Sequence, residues 1–278
     1  MQIGIMAGHF PRPTLAETLA AVRAVGLDRI QFGFESAGIS ELAADPGEQA
    51  RQVRAEFDRA GVKPVAVSGT FNMAHPDPEH RRNGLRQLDR VCSTCGDLGT
   101  SVVTLCTGTR NTESMWRPHP DNDSEDAWAD LLQSMAAAVE SADSYGVTLA
   151  FEPEVSNVVN SPEKARRLLD EIASPQLQVV MDGANVFPSG SLPRMTEILH
   201  RAFELLGADI ALAHAKDLSR DGEAGHEAAG TGLLDYPLYI DLLKASGFQG
   251  TIVLHSLTEQ QAPGCIQFLR NLIGSDPV

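Results

Sequence analysis

Positive charge, aromatic rings and cysteine are all scarce in this chain of 278 residues. Lys plus Arg number 22 against 37 Asp plus Glu, a formal net charge of −15. Such a surface repels polyanions, and binding to a phosphate backbone by counterion release needs the opposite sign, so nucleic acid is not the expected partner. The four cysteines, Cys92, Cys95, Cys106 and Cys265, are too few for the disulfide framework of a small secreted domain and fit reduced thiols in a cytoplasmic protein. Cys92 and Cys95 form a C-x2-C pair with no second pair at zinc-site spacing, which reads as two buried thiols on a helix. No window approaches the roughly 18 consecutive apolar residues of a membrane span, and the start at Met1 shows neither the basic segment nor the apolar stretch of a signal peptide. A G-x-G-x-x-G fingerprint is missing after the first apolar run, which argues against a dinucleotide-binding open sheet.

What remains is a composition of ordinary globular type, 42% hydrophobic and 21% charged, with a regular alternation along its length. Eight short runs rich in Val, Ile and Leu recur: Ile3–Ala7, Arg29–Phe34, Pro64–Ser68, Ser101–Cys106, Val147–Phe151, Leu177–Met181, Ile210–Ala213 and Thr251–Leu254. None shows strict polar alternation, as expected of parallel strands covered on both faces. Segments of helical period separate them, and several end on glycine (Gly61, Gly99, Gly146, Gly247), the usual left-handed stop. Eight strand-then-helix units in 278 residues match the roughly 250 of a (β/α)8 TIM barrel. The expectation is therefore an α/β protein, one barrel over residues 1–278.

Barrel chemistry sits at the C-terminal ends of the strands. Reading those positions in order gives His9, Glu35, Asn72 with His75, Thr107 with Arg110, Glu152 with Glu154, Asp182, His214 and His255. Carboxylates and imidazoles converging on one spot need a cation between them, and a divalent metal accepts mixed N and O ligands. The sharpest set is Glu152, Asp182, His214 and His255, one from each of the last four strands. The segment Thr107–Ser124, carrying Arg110, Trp116 and Arg117, far exceeds the usual two to six residues of a βα loop and reads as a lid.

The stretches Leu149-Ala-Phe-Glu152-Pro, Met181-Asp182-Gly-Ala-Asn185, His214-Ala-Lys216-Asp217 and Gly230-Thr-Gly232-Leu-Leu-Asp235 resemble the sugar phosphate isomerase/epimerase branch of the xylose isomerase-like TIM barrels. That group also holds D-tagatose 3-epimerase, inosose dehydratase and the AP endonucleases. The resemblance covers essentially the whole chain. It implies metal ligation by Glu152, Asp182 and His214. It also implies substrate contacts from Asn185, where the family normally has His, and from Arg220, six positions beyond His214. Lys216 points toward the same site, or pairs with Asp217.

The chain departs from the family at the eighth strand, where His255 replaces the usual glutamate. As a ligand, imidazole lowers the negative charge of the site and tilts metal preference toward Zn2+, Mn2+ or Co2+ over Mg2+. It also removes one of the two glutamate bases of the epimerases, for which Glu154, Glu35 or Lys216 could substitute, Glu154 being preferred. The reaction implied is isomerisation or epimerisation of a ketose, keto-sugar or related polyhydroxy carbonyl compound through a metal-stabilised enediolate, with Glu152 or Glu154 as the base. A lyase acting on a keto-sugar or cyclitol is the alternative, and an AP endonuclease is disfavoured by charge and by Asn185. A polyhydroxylated small molecule is the expected partner, with no membrane, and a homo-oligomer is compatible with the fold.

Overall fold

The computed structural model describes residues 1–274; the last four residues of the expected 1–278 unit lie outside the described residues. Eight parallel strands close on themselves: β1 (Gln2–Met6), β2 (Arg29–Phe32), β3 (Lys63–Ser68), β4 (Val102–Cys106), β5 (Thr148–Glu152), β6 (Leu177–Asp182), β7 (Ile210–Asp217) and β9 (Thr251–Leu254). Closure is made where β9 pairs with β7 on one side and with β1 on the other. The helices α1 (Leu15–Ala24), α2 (Gly47–Ala60), α3 (Pro78–Leu98), α4 (Glu125–Tyr145), α5 (Pro162–Ile172), α6 (Met195–Leu206), α7 (Tyr236–Ala245) and α8 (Ala262–Ile273) form the outer ring. This is the (β/α)8 TIM barrel that the alternation predicts.

Local chemistry sets the helix limits. Ser124 and Ser161 each accept an N–H three residues on at the starts of α4 and α5, and Thr14 with Glu17 makes a reciprocal capping box at α1, satisfying donors that a helix end leaves orphaned. At the other end Gly99 and Gly146 adopt the left-handed stop, with φ of 79° and 64°.

One strand is longer than its apolar run. The sequence predicts an end at Ala213, whereas β7 runs to Asp217, because the two-residue strand β8 (Glu227–Ala228) folds back antiparallel, placing Ala228 opposite Lys216 and Glu227 opposite Asp217. His214 and Lys216 thus lie within a strand instead of in a loop. Asp217 anchors the fold-back: Oδ1 accepts the N–H of Leu218 and Leu234, and Oδ2 that of Gly230.

Hydrophobic packing occurs in two places. The larger core lies between the sheet and the helices. A small dry plug of Ala66, Ala150, Val180, Leu212 and Val253 fills the bore. Cys92 and Cys95 are buried on α3, where burial pushes both thiols up to about 12, so they stay protonated and inert. No helix among the described residues is long and apolar enough to cross a membrane.

Candidate active site

Side chains along a strand alternate between its two faces, so a residue two places beyond a bore-facing one faces the bore as well. Stepping up two residues from the plug gives the site: Ala150 to Glu152, Val180 to Asp182, Leu212 to His214, and Val253 to His255. A second step on β7 reaches Lys216. The apolar plug therefore forms the floor of a polar cavity of about 380 Å3, whose walls include Gln31, Thr104, Glu152, Asn185, His214 and His255.

Glu152, Asp182 and His214 each bring one ligand atom within 4.8 Å of the others. Lys216, almost fully buried, places Nζ 3.1 Å from both Glu152 Oε1 and Asp182 Oδ2. The expected pairing of Lys216 with Asp217 does not form; Asp217 is engaged with backbone N–H groups instead. Burial pulls the Lys216 ammonium down, but Asp182 and Glu152 outweigh it and hold its pKa raised. Burial pushes the Glu152 carboxyl up, and Lys216 with His214 more than reverses this, leaving it well below the usual carboxylate range. At Asp182 burial prevails over Lys216, and the carboxyl is raised.

Asn185 Nδ2 donates to Glu152 Oε1 at 2.6 Å, and its Oδ1 accepts the Gly225 N–H at 2.7 Å. The residue expected to touch substrate thus orients Glu152 directly. All the contacts to Glu152 run to Oε1, so Oε2 is the oxygen left for the cavity. On β7, His214 Nδ1 faces the carboxylates, 3.4 Å from Glu152 and 3.8 Å from Asp182. The Tyr239 hydroxyl braces this strand from α7, 2.9 Å from Met181 O and 3.0 Å from His214 O.

His255 stands at the edge of the cluster. Its ring stacks on His214 at 5.4 Å between centroids and meets His9 edge-on at 5.3 Å, but its ligand atoms are not among those that converge. Ser256 Oγ donates to Gly225 O at 3.2 Å and so accepts from His255 Nδ1 at 3.0 Å, leaving Nε2 with the lone pair. Burial, followed by Lys216 and His214, holds the His255 imidazole well below its ordinary pKa. Ser256 carries this arrangement at φ 53°, a conformation that a non-glycine residue keeps only where its surroundings enforce it. His9 has a buried Nε2 without a hydrogen-bond partner.

Several expected contacts lie elsewhere. Glu154 lines the cavity, yet Oε1 accepts the Ser156 N–H and Oε2 accepts from Asn157 Nδ2; the carboxylate closes its own loop and presents no free base. Asn72 spends both ends of its amide on the backbone of Thr109. Arg110 binds Asp130 at 2.5 Å and Ala74 O at 3.1 Å, and Arg81 grips the same aspartate at 2.7 Å. Glu35 is exposed and lines a neighbouring groove. Arg220 is exposed and pairs with Glu223. Asn72, Arg110, Glu35 and Arg220 are therefore not brought to the cavity: Thr109, Asp130 and Glu223 hold the first, second and fourth, and Glu35 faces the neighbouring groove. Over the opening, the long segment after β4 contributes Trp116, 62% exposed.

The donor set suits a divalent cation. Two carboxylates and an imidazole nitrogen of mixed N and O type converge, and Asp182 Oδ2 is a buried acceptor that takes no hydrogen bond, with the Lys216 ammonium 3.1 Å away. Buried carboxylate oxygens are costly unless positive charge faces them, and one ammonium shared by two carboxylates leaves the cluster suited to a further cation.

A sequence profile of the xylose isomerase-like TIM barrels matches residues 19–272. The chain belongs to that family. Within this xylose isomerase-like group it is similar to a 2-epi-5-epi-valiolone 7-phosphate 2-epimerase of Actinoplanes sp., 29% identical over 177 residues, which are 62% of this chain and 58% of that protein. The match thus spans less than two thirds of that relative. An L-ribulose 3-epimerase of Mesorhizobium japonicum is 21% identical over 252 residues, 88% of this chain and 76% of that protein. Among solved structures, a D-tagatose 3-epimerase-like protein shares the fold with a TM-score of 0.78 and 16% identity, over 98% of this chain and 97% of that one.

Gln31 lies inside its apolar run and not after it, so the strand-end positions do not single it out. The available signal was a polar residue inside a run: Gln31 interrupts Arg-Ile-Gln-Phe, and Thr104 interrupts Val-Val-Thr-Leu-Cys.

Proposed function

We propose that the protein is a divalent-metal-dependent epimerase or isomerase of a ketose or related polyhydroxy carbonyl compound. The observation that carries this reading is the convergence of Glu152, Asp182 and His214 about Asp182 Oδ2, a buried oxygen that accepts no hydrogen bond, beside a cavity large enough for a small sugar. The relatives named above as epimerases support the reaction class. Glu152, Asp182 and His214 would hold the ion, and the nitrogen in the set favours Zn2+, Mn2+ or Co2+ over Mg2+. When bound, a divalent cation supplies Lewis acidity to a carbonyl oxygen and its neighbouring hydroxyl, acidifying the carbon between them.

The side chains divide the remaining work. Glu152, kept ionised by Lys216 and fixed through Oε1 by Asn185, offers Oε2 to take the proton from that carbon. Lys216 stays charged and offsets negative charge as it develops on the substrate oxygens. His255 lies three strands round the rim from Glu152, and its neutral Nε2 can carry a proton to the other face of the substrate, in place of the second glutamate. Trp116 provides a flat apolar surface over the opening.

The test is twofold. Protein purified without chelators should contain about one equivalent of a divalent transition metal. Incubated in D2O with a panel of ketopentoses, ketohexoses and cyclic keto-polyols, with and without phosphate, it should introduce deuterium beside the carbonyl with water retained. Loss of water in place of inversion would assign the lyase reaction, and neither exchange nor metal would overturn the reading.

A further inference from the structure

We propose that Gln31 is a positioning residue that sets the tautomer of His214, holding the ring proton on Nε2 and leaving the lone pair on the nitrogen that faces the carboxylates. The inference rests on the metal reading above. Gln31 is buried in the bore on β2, and its amide is held at both ends: Nε2 donates to Thr104 Oγ1 at 2.9 Å and to Ser68 Oγ at 3.3 Å, while Oε1 lies 2.8 Å from His214 Nε2. With its NH2 group placed against two hydroxyls, the amide turns its carbonyl oxygen to His214 and accepts there, which assigns the proton to His214 Nε2.

A neutral imidazole has one proton for two nitrogens. Protonation at Nε2 leaves the lone pair on Nδ1, the atom aimed at Glu152 and Asp182. The competing tautomer would donate from Nδ1 to Glu152 Oε1 over 3.4 Å, giving up the shorter bond to Gln31 and turning an N–H toward the place a cation would fill. Gln31, itself set by Ser68 and Thr104 from the next two strands, biases the ring toward the ligating form. Partners of this kind on a ligand's far nitrogen typically change metal affinity by about 10-fold to 100-fold.

The experiment compares wild type with Gln31→Leu, which removes the acceptor at similar volume, and Gln31→Glu, which keeps an acceptor oxygen. The tautomer of His214 is read in metal-free protein from 15N-histidine NMR at alkaline pH, and Mn2+ affinity is read by EPR titration. We expect wild type and Gln31→Glu to show Nε2–H. Gln31→Leu should shift to Nδ1–H and bind Mn2+ about 10-fold to 100-fold more weakly, with Gln31→Glu staying within a few-fold of wild type. An unchanged tautomer in Gln31→Leu, or an equal loss of affinity in Gln31→Glu, overturns the assignment. Failure of wild type to bind Mn2+, Zn2+ or Co2+ would instead overturn the metal reading, and the metal-free NMR comparison would still decide the role of Gln31.

Discussion

The Lys216 ammonium lies 3.1 Å from Asp182 Oδ2, the one oxygen of the carboxylate cluster that is buried and accepts no hydrogen bond. The lysine acts there as a resident cation, neutralising in the absence of a metal part of the charge that the cluster concentrates. Two buried carboxylates cannot both stay ionised at such range without one.

Lys216→Met should therefore destabilise the metal-free protein by about 3–5 kcal/mol, since removing one partner of a buried ion pair leaves the others uncompensated. Thermal denaturation measures the loss. Added Mn2+ should restore more stability to this variant than to wild type, because the ion then replaces a missing charge instead of adding to one already there.

His255 gives acid sensitivity a defined sign. Its folded pKa is lowered, so below about pH 6.5 the unfolded chain gains a proton that the folded chain refuses. Stability from this group is fully present above that pH and declines as acidity increases toward the folded value, by up to about 1.4 kcal/mol per pH unit. Urea denaturation midpoints should fall less steeply between about pH 6.5 and 5 in His255→Asn than in wild type; parallel profiles would refute the assignment.

Asn185→Asp probes the orientation of Glu152. The replacement keeps an acceptor for the Gly225 N–H but sets a second carboxylate where Nδ2 donated to Glu152 Oε1. Like charges at that distance raise one carboxyl, and Glu152 should lose its standing as an ionised base. Deuterium exchange into substrate should drop about 10-fold or more, while near-UV circular dichroism stays native.

Gly232→Ala tests the loop that follows β7. A Cβ there would press on Asp217 Oδ1 and lie 2.5 Å from Leu218 O, prising apart the N–H cage that Asp217 holds. We expect about 1–3 kcal/mol of destabilisation, measured by chemical denaturation, with protease cleavage rising within residues 218–234.

The eightfold alternation, the helix stops and the strand-end positions of Glu152 and Asp182 were legible in the chain itself, whereas His214 lies inside a strand that runs on to Asp217. Apolar periodicity and glycine stops act over a few residues, and barrel closure follows once eight such units repeat. Which polar side chains are free to act in the cavity depended on the partners that the assembled loops and helices offer them. Arg110 was captured by Asp130, Asn72 by Thr109 and Glu154 by its own loop, and the fold-back of β8 drew Lys216 into the bore between two carboxylates. Local sequence decides how a strand runs and which of its faces a residue occupies. The choice among partners is made only when the loops meet, because each hydrogen bond and ion pair is decided by distances of a few tenths of an ångström that the tertiary fold alone sets.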